Sequence, residues 1–132
     1  MRIILVFGVF DGIHGGHEFF LRNARAHGDR LIAAVAPDEI VRKLKNRETR
    51  FSEIDRIAAL AASGLVDRAV IGDRELSSWG VIRKIRPALI ALGYDQDALA
   101  RAIADVSFPF PVETVRIQGY RPDELHSSLL NA

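Results

Sequence analysis

Short apolar runs alternate with amphipathic segments along the whole chain. Runs at 3–7, 31–36, 69–71, 88–92 and 112–117 predict five strands. The first four are almost continuously apolar, the pattern of strands covered by helices on both faces. Between them, segments 18–27, 38–44, 53–63, 78–86 and 97–105 predict helices. The third has clear ends, with Ser52 as N-cap, Asp55 three residues on and Gly64 past its last turn. Its Ile54, Ile57, Ala58 and Ala61 form one stripe expected to face the core. Strand–helix alternation of this kind predicts an α/β fold: a three-layer α/β/α, Rossmann-like, doubly wound, five-stranded parallel sheet with right-handed crossovers. Ligands in such sheets bind beyond the C-terminal strand ends.

At the end of the first strand lies Gly8-Val9-Phe10-Asp11-Gly12-Ile13-His14-Gly15-Gly16-His17. A strand, a glycine-rich turn and a helix start make a place where backbone N–H groups meet an anion. The glycines let a phosphate approach the main chain, and His14 and His17 add donors. The run is neither GxGxxG nor a P-loop. Metal ligation by the two histidines, or incidental turn histidines, are the alternatives. Phosphate contact is the preferred reading.

The 132 residues, 48% of them apolar, are enough for one domain with one core. A net charge of +1 argues against a general nucleic-acid binder, and the absence of Cys fits a cytoplasmic protein. The N-terminal apolar run is too short for a signal peptide or a membrane span.

Three more clusters are expected at the same sheet edge. Arg42, Lys43, Lys45, Arg47 and Arg50 place five cations in nine residues. They read either as a solvated loop or as partners for a polyphosphate. Gly93-Tyr94-Asp95-Gln96 follows the fourth strand and offers polar groups to a base or ribose, or simply caps a helix. His126-Ser127-Ser128 could hold a phosphate at a helix start or serve as an N-cap.

The pattern Gly8-x-Phe10-Asp11-x-x-His14-x-Gly16-His17 resembles the signature of the cytidylyltransferase-like nucleotidylyltransferases, and the resemblance runs through all 132 residues. It implies one nucleotidylyltransferase domain, 1–132, of the HUP type. An acceptor phosphate or phosphonate oxygen would attack the α-phosphorus of a nucleoside triphosphate, with no covalent enzyme intermediate. By resemblance His14 and His17 contact the phosphates, and Lys43 or Lys45 neutralises α-phosphate and acceptor. Arg56 would hold the β- and γ-phosphates. Asp11 and Asp38 would orient the acceptor, and Asp11 also Mg²⁺ or its water. Gly93, Asp95 and Gln96 would read the base, while Ser127 and Ser128, with His126, would close on the triphosphate. The run 8–11 (Gly8, Val9, Phe10, Asp11) and Gly16 complete the nucleotide site.

Residues 92–96 and 126–128 are most similar to the archaeal FAD synthases, and the size is similar to that of glycerol-3-phosphate cytidylyltransferase. The departures are Val9 where many relatives carry a hydroxyl, no Thr after Ser128, no Trp after Asp95, and no C-terminal Cys. The chain stops at Ala132, where relatives continue the last helix, so an N-terminal domain of a longer enzyme is expected. FMN needs a broad slot with aromatic walls. Ten aromatic residues, most at expected core positions, tilt the reading to CTP and a small acceptor such as glycerol 3-phosphate or 2-hydroxyethylphosphonate. The latter would be the acceptor of a cytidylyltransferase domain fused to phosphoenolpyruvate mutase in fosfomycin biosynthesis. The alternatives are an FMN adenylyltransferase using ATP and a non-catalytic nucleotide- or RNA-binding module. No nucleic-acid or membrane partner is expected. Homodimers are common among relatives, though no residue here marks an interface.

Overall fold

The computed structural model describes residues 1–118. His126, Ser127 and Ser128 lie outside the described residues. The elements run β1 (Ile3–Gly8), α1 (Gly15–Arg25), β2 (Arg30–Val35), α2 (Asp38–Lys45), α3 (Glu53–Ala62), β3 (Arg68–Ile71), α4 (Gly80–Ile85), β4 (Leu89–Leu92), α5 (Asp97–Ala104) and β5 (Glu113–Arg116). All strand pairs are parallel, in the order β3-β2-β1-β4-β5. This is the doubly wound sheet that the sequence predicts. No described helix is long and apolar enough to cross a membrane.

The apolar strands are continuous because alternate residues enter different cores. Ile4, Val6, Leu31, Ala33 and Val35 pack with Leu21 and Ala24 of α1 and Leu60 of α3. Leu5, Ile32, Ala34, Ile90 and Leu92 pack on the other face with Ile82 of α4 and Ile103 of α5. Truncating any one of the buried Leu or Ile side chains among these to Ala would cost about 2–5 kcal/mol.

Two details differ from the sequence reading. Helix α1 begins at Gly15, three residues before the expected start, because His14 and His17 cap it. The stripe of α3 is misassigned: Ile54 is 74% exposed, Ala58 and Ala61 face outward, and Arg56 with Leu60 turns inward. Of the expected stripe, Ile57 alone packs against the core. The predicted caps of α3 hold, with the Ser52 hydroxyl accepting from the Asp55 amide at 3.2 Å and Gly64 at φ 78°.

The chain proceeds from β1 outward to β3 and then returns to β4 on the other side of β1. The switch point is therefore the β1/β4 crevice. The ladder between β1 and β2 runs from Ile3/Arg30 through Gly8/Val35, whereas that between β1 and β4 registers Ile4/Leu89 and Leu5/Ile90 and then ends.

Candidate active site

The turn after β1 is shaped by Phe10, whose backbone has φ 52° and whose ring is buried. A Cβ on Gly8 would stand 2.6 Å from that ring, so only glycine lets the phenyl fold back over the strand end. The ring then lies 5.4 Å from that of His17. His17 in turn stacks on His14, with ring centroids 3.8 Å apart.

The two histidines form a reciprocal cap on α1. His14 Nδ1 accepts the Gly16 N–H at 3.0 Å, and His17 Nδ1 accepts the His14 N–H at 3.3 Å. An accepting Nδ1 places the proton of the neutral ring on Nε2. Burial and the neighbouring His14 hold the His17 pKa below its ordinary 6.5, against the Gly12 carbonyl and Asp95, which favour the charged ring. The Gly16 amide is spent on this cap.

A cavity of about 1080 Å³ opens over the C-terminal strand ends of the described residues. Its walls include Gly8, Val9, Phe10, Asp11, His14, Gly16 and His17 from the first turn, and Gly93, Asp95 and Gln96 from the β4 end. Lys45 and Arg47 reach it from the cationic segment; Lys43 does not line it. This favours Lys45 where the sequence left both open. Elsewhere in the cationic segment, Arg42 pairs with Glu48 at 3.3 Å and the Arg50 guanidinium lies 5.2 Å from the Phe51 ring centroid.

Several expected ligand contacts are corrected by the geometry. The Arg56 side chain has no exposed surface, so it is not a β/γ-phosphate clamp. Its guanidinium donates to the carbonyls of Phe51 (3.1 Å), Val9 (2.9 Å) and Ala36 (2.7 Å) and to Asp38 Oδ1 (2.7 Å). Asp38 also accepts from the Thr49 hydroxyl and the Glu53 amide, so its carboxylate is occupied rather than offered to an acceptor. Burial opposes its charge, and Arg56 with these donors outweighs burial and lowers its pKa.

Asp11 accepts the Arg50 and Phe51 amides at 2.8 and 2.9 Å, one on each oxygen, with Arg47 at 3.8 Å. Burial raises its pKa, but those two amides and the Arg56 and Arg50 charges win, and the net shift is downward. Asp11 and Arg56 thus strap residues 46–51 onto the first turn. Both oxygens of Asp11 are thus engaged by the protein, with an arginine beside them. Among the described residues no three His, Cys, Asp or Glu side chains cluster to hold a metal.

Gln96 is likewise structural: its Oε1 accepts the Gly93 amide at 2.8 Å and its Nε2 donates to the Phe7 carbonyl at 2.9 Å. It bridges β1 and β4 where their ladder has ended. Asp95 is exposed at the rim. Residues 72–79, which the sequence reading did not assign to the site, form the wall beyond β3 with Gly72, Asp73, Glu75, Leu76, Ser77 and Trp79. The available signal was a lone tryptophan just past a strand's C-terminal end.

Imidazoles, a lysine and an arginine at the mouth of a crevice at a switch point can bind and neutralise a polyphosphate. A family profile described as cytidylyltransferase-like matches residues 5–119. The chain is 40% identical over 128 residues to the FAD synthase of Pyrococcus abyssi, covering 95% of this chain and 86% of that one. It is 34% identical over 127 residues to the FAD synthase of Aciduliprofundum boonei, covering 95% and 84%. A crystal structure of a lipopolysaccharide core biosynthesis protein from Thermoplasma volcanium superposes with a TM-score of 0.81 at 31% identity, covering 92% of this chain and 99% of that one.

Proposed function

The chain belongs to the cytidylyltransferase-like family and is a nucleotidylyltransferase, and on that premise we propose that it makes FAD by transferring AMP from ATP to FMN. The FMN phosphate oxygen would form a bond to the α-phosphorus as the α–β bridging bond breaks. Pyrophosphate leaves with the electron pair of that bond. The reaction needs positioning and charge stabilisation rather than a protein nucleophile. His14, His17 and Lys45 are the groups placed to supply both, with the α1 N-terminus behind them.

The observation that carries the choice of acceptor is the cavity. At about 1080 Å³ it sits at the upper end of small-molecule sites. Its walls include Phe7, Phe10, Phe20, Trp79 and Tyr94, half of the chain's ten aromatic residues. Phe10 belongs to one core and Phe7, Phe20 and Trp79 pack against the two cores, as the sequence reading expected. All four also line the cavity, so core packing does not withdraw them from a ligand, and the tilt toward CTP and a small acceptor loses its ground. Two relatives named FAD synthase point the same way, and neither is named for cytidylyl or phosphonate chemistry.

The test is product analysis with ATP or CTP, Mg²⁺, and FMN, glycerol 3-phosphate or 2-hydroxyethylphosphonate, with His17→Ala as control. FAD and pyrophosphate from ATP and FMN alone are expected. Turnover of CTP with a phosphate or phosphonate alcohol, and none with FMN, would overturn the proposal.

A further inference from the structure

The cavity has two halves of different character. The half over the β1/β4 crevice carries the histidine turn and the Gly93–Gln96 rim, polar groups suited to a nucleotide. The other half lies over the ends of β2 and β3. It is walled by Ile40 and Leu44 of α2 and by Leu76 and Trp79 of the loop that leaves β3. Leu44 is 64% exposed and Leu76 is 52% exposed. Apolar side chains left open on a cavity wall are a cost that a bound apolar group removes.

The loop is fastened at its polar positions. Gly72 N–H donates to the Val35 carbonyl at 2.7 Å, and Asp73 Oδ1 accepts the Val81 amide at 3.0 Å. Arg74 bridges Glu39 of α2 and Glu53 of α3 at 2.7 and 2.6 Å. Between these anchors Ser77 and Trp79 both adopt positive φ, 61° and 57°. A bulky residue there carries a backbone cost that the anchored surroundings must hold in place. The indole it presents packs on the α4/α5 core and faces the cavity.

We propose that Trp79, with Leu76 and Leu44, forms the slot for a planar, largely apolar heteroaromatic ring of the acceptor and determines acceptor specificity. This rests on the FMN reading and places the isoalloxazine over β2 and β3. The acceptor phosphate then extends toward His14 and His17, and ATP lies along β1/β4. A flat indole gives such a ring a stacking face with little conformational freedom to lose.

Trp79 is the chain's sole tryptophan, so its response is uniquely assigned. Indole quenches flavin emission on van der Waals contact, and phenylalanine does not. FMN is titrated into wild type, Trp79→Phe and Leu76→Ala, and KM values for FMN and ATP are measured on the same proteins and on Trp79→Ala. Bound flavin is expected to be dark in wild type and bright in Trp79→Phe. Trp79→Ala should raise KM for FMN by roughly 5- to 150-fold, the range of one lost aromatic stack, with KM for ATP moving less than about twofold. The exposed Leu76→Ala should raise KM for FMN severalfold, which keeps the test open if the tryptophan variants fold poorly. FMN turnover and flavin emission indifferent to Trp79 and Leu76, or equal rises in both KM values, would overturn the slot alone. A wild type that neither binds nor adenylylates FMN overturns the flavin reading together with it.

Discussion

Arg56→Met separates a structural role from a ligand-binding one. Methionine keeps most of the side-chain length and removes every donor. Three backbone carbonyls, of Val9, Ala36 and Phe51, then lose their partner, and Asp38 loses its counter-charge at 2.7 Å. Removing one member of a buried ion pair costs about 3–5 kcal/mol, and each stranded carbonyl about 1 kcal/mol. Asp38 is 28% exposed and regains water, so its share is discounted, and the losses overlap. A net loss of about 3–5 kcal/mol is expected, a large fraction of the 5–15 kcal/mol of an ordinary domain. At a urea dependence of about 2 kcal/mol per molar, the unfolding midpoint should fall by about 1.5–2.5 M. Arg56→Lys should fall between, since an ammonium cannot span carbonyls on three segments. The assay is urea unfolding followed by circular dichroism, alongside KM for ATP. A methionine variant within about 0.5 kcal/mol of wild type, with a strongly raised KM for ATP, would refute this reasoning and return Arg56 to the phosphates.

Four further outcomes are expected. His17→Ala should lower kcat by about 10²–10³, the usual cost of one charge-stabilising donor; a change within a few-fold would refute the assignment. Because the folded His17 pKa lies below 6.5, the unfolded chain takes up its proton first as pH falls, so this residue withdraws stability between 6.5 and its lower folded value and adds none above it. NMR titration of the ring checks the sign, and a His17 pKa above 6.5 would contradict it. Lys45→Ala should reduce kcat/KM for ATP by tenfold or more, and Lys43→Ala by less than about threefold, because only the former lines the cavity; equal effects in steady-state kinetics would refute the distinction. Asp11→Ala removes two bonds to a charged acceptor and should loosen residues 46–51, so that trypsin cleaves after Arg47 or Arg50 roughly tenfold faster or more, equivalent to about 1.4 kcal/mol; unchanged cleavage would contradict the strap.

The fold was legible because its signals are local. Continuous apolar strands, the Ser52 cap and Gly64 fix element type and order without tertiary information. The first turn was legible as a phosphate site but its internal wiring was not. His14 and His17 read as ligand donors, while their Nδ1 atoms also replace the polar caps that usually start a helix. Arg56 was unreadable for a different reason. On a hydrophobicity pattern it marks a solvent face, and only the meeting of three strand-end and loop carbonyls around it makes burial favourable. The same inversion sent Ile54 outward. Residues 72–79 escaped notice because Asp73, Arg74 and Glu75 read as a polar loop, and their fastening to α2, α3 and α4 is wholly tertiary.

One consequence follows from the way the sheet is joined at its middle. Beyond Leu5 and Ile90 the backbone rungs between β1 and β4 stop, and the amide of Gln96 spans the remaining distance to Phe7. The aperture between the two halves is therefore set by the reach of one side chain, in the manner of a strut. Lengthening or shortening this strut would widen or narrow the gap at the mouth of the crevice. Such a scaffold can be retuned to a different nucleobase by substitutions at its rim.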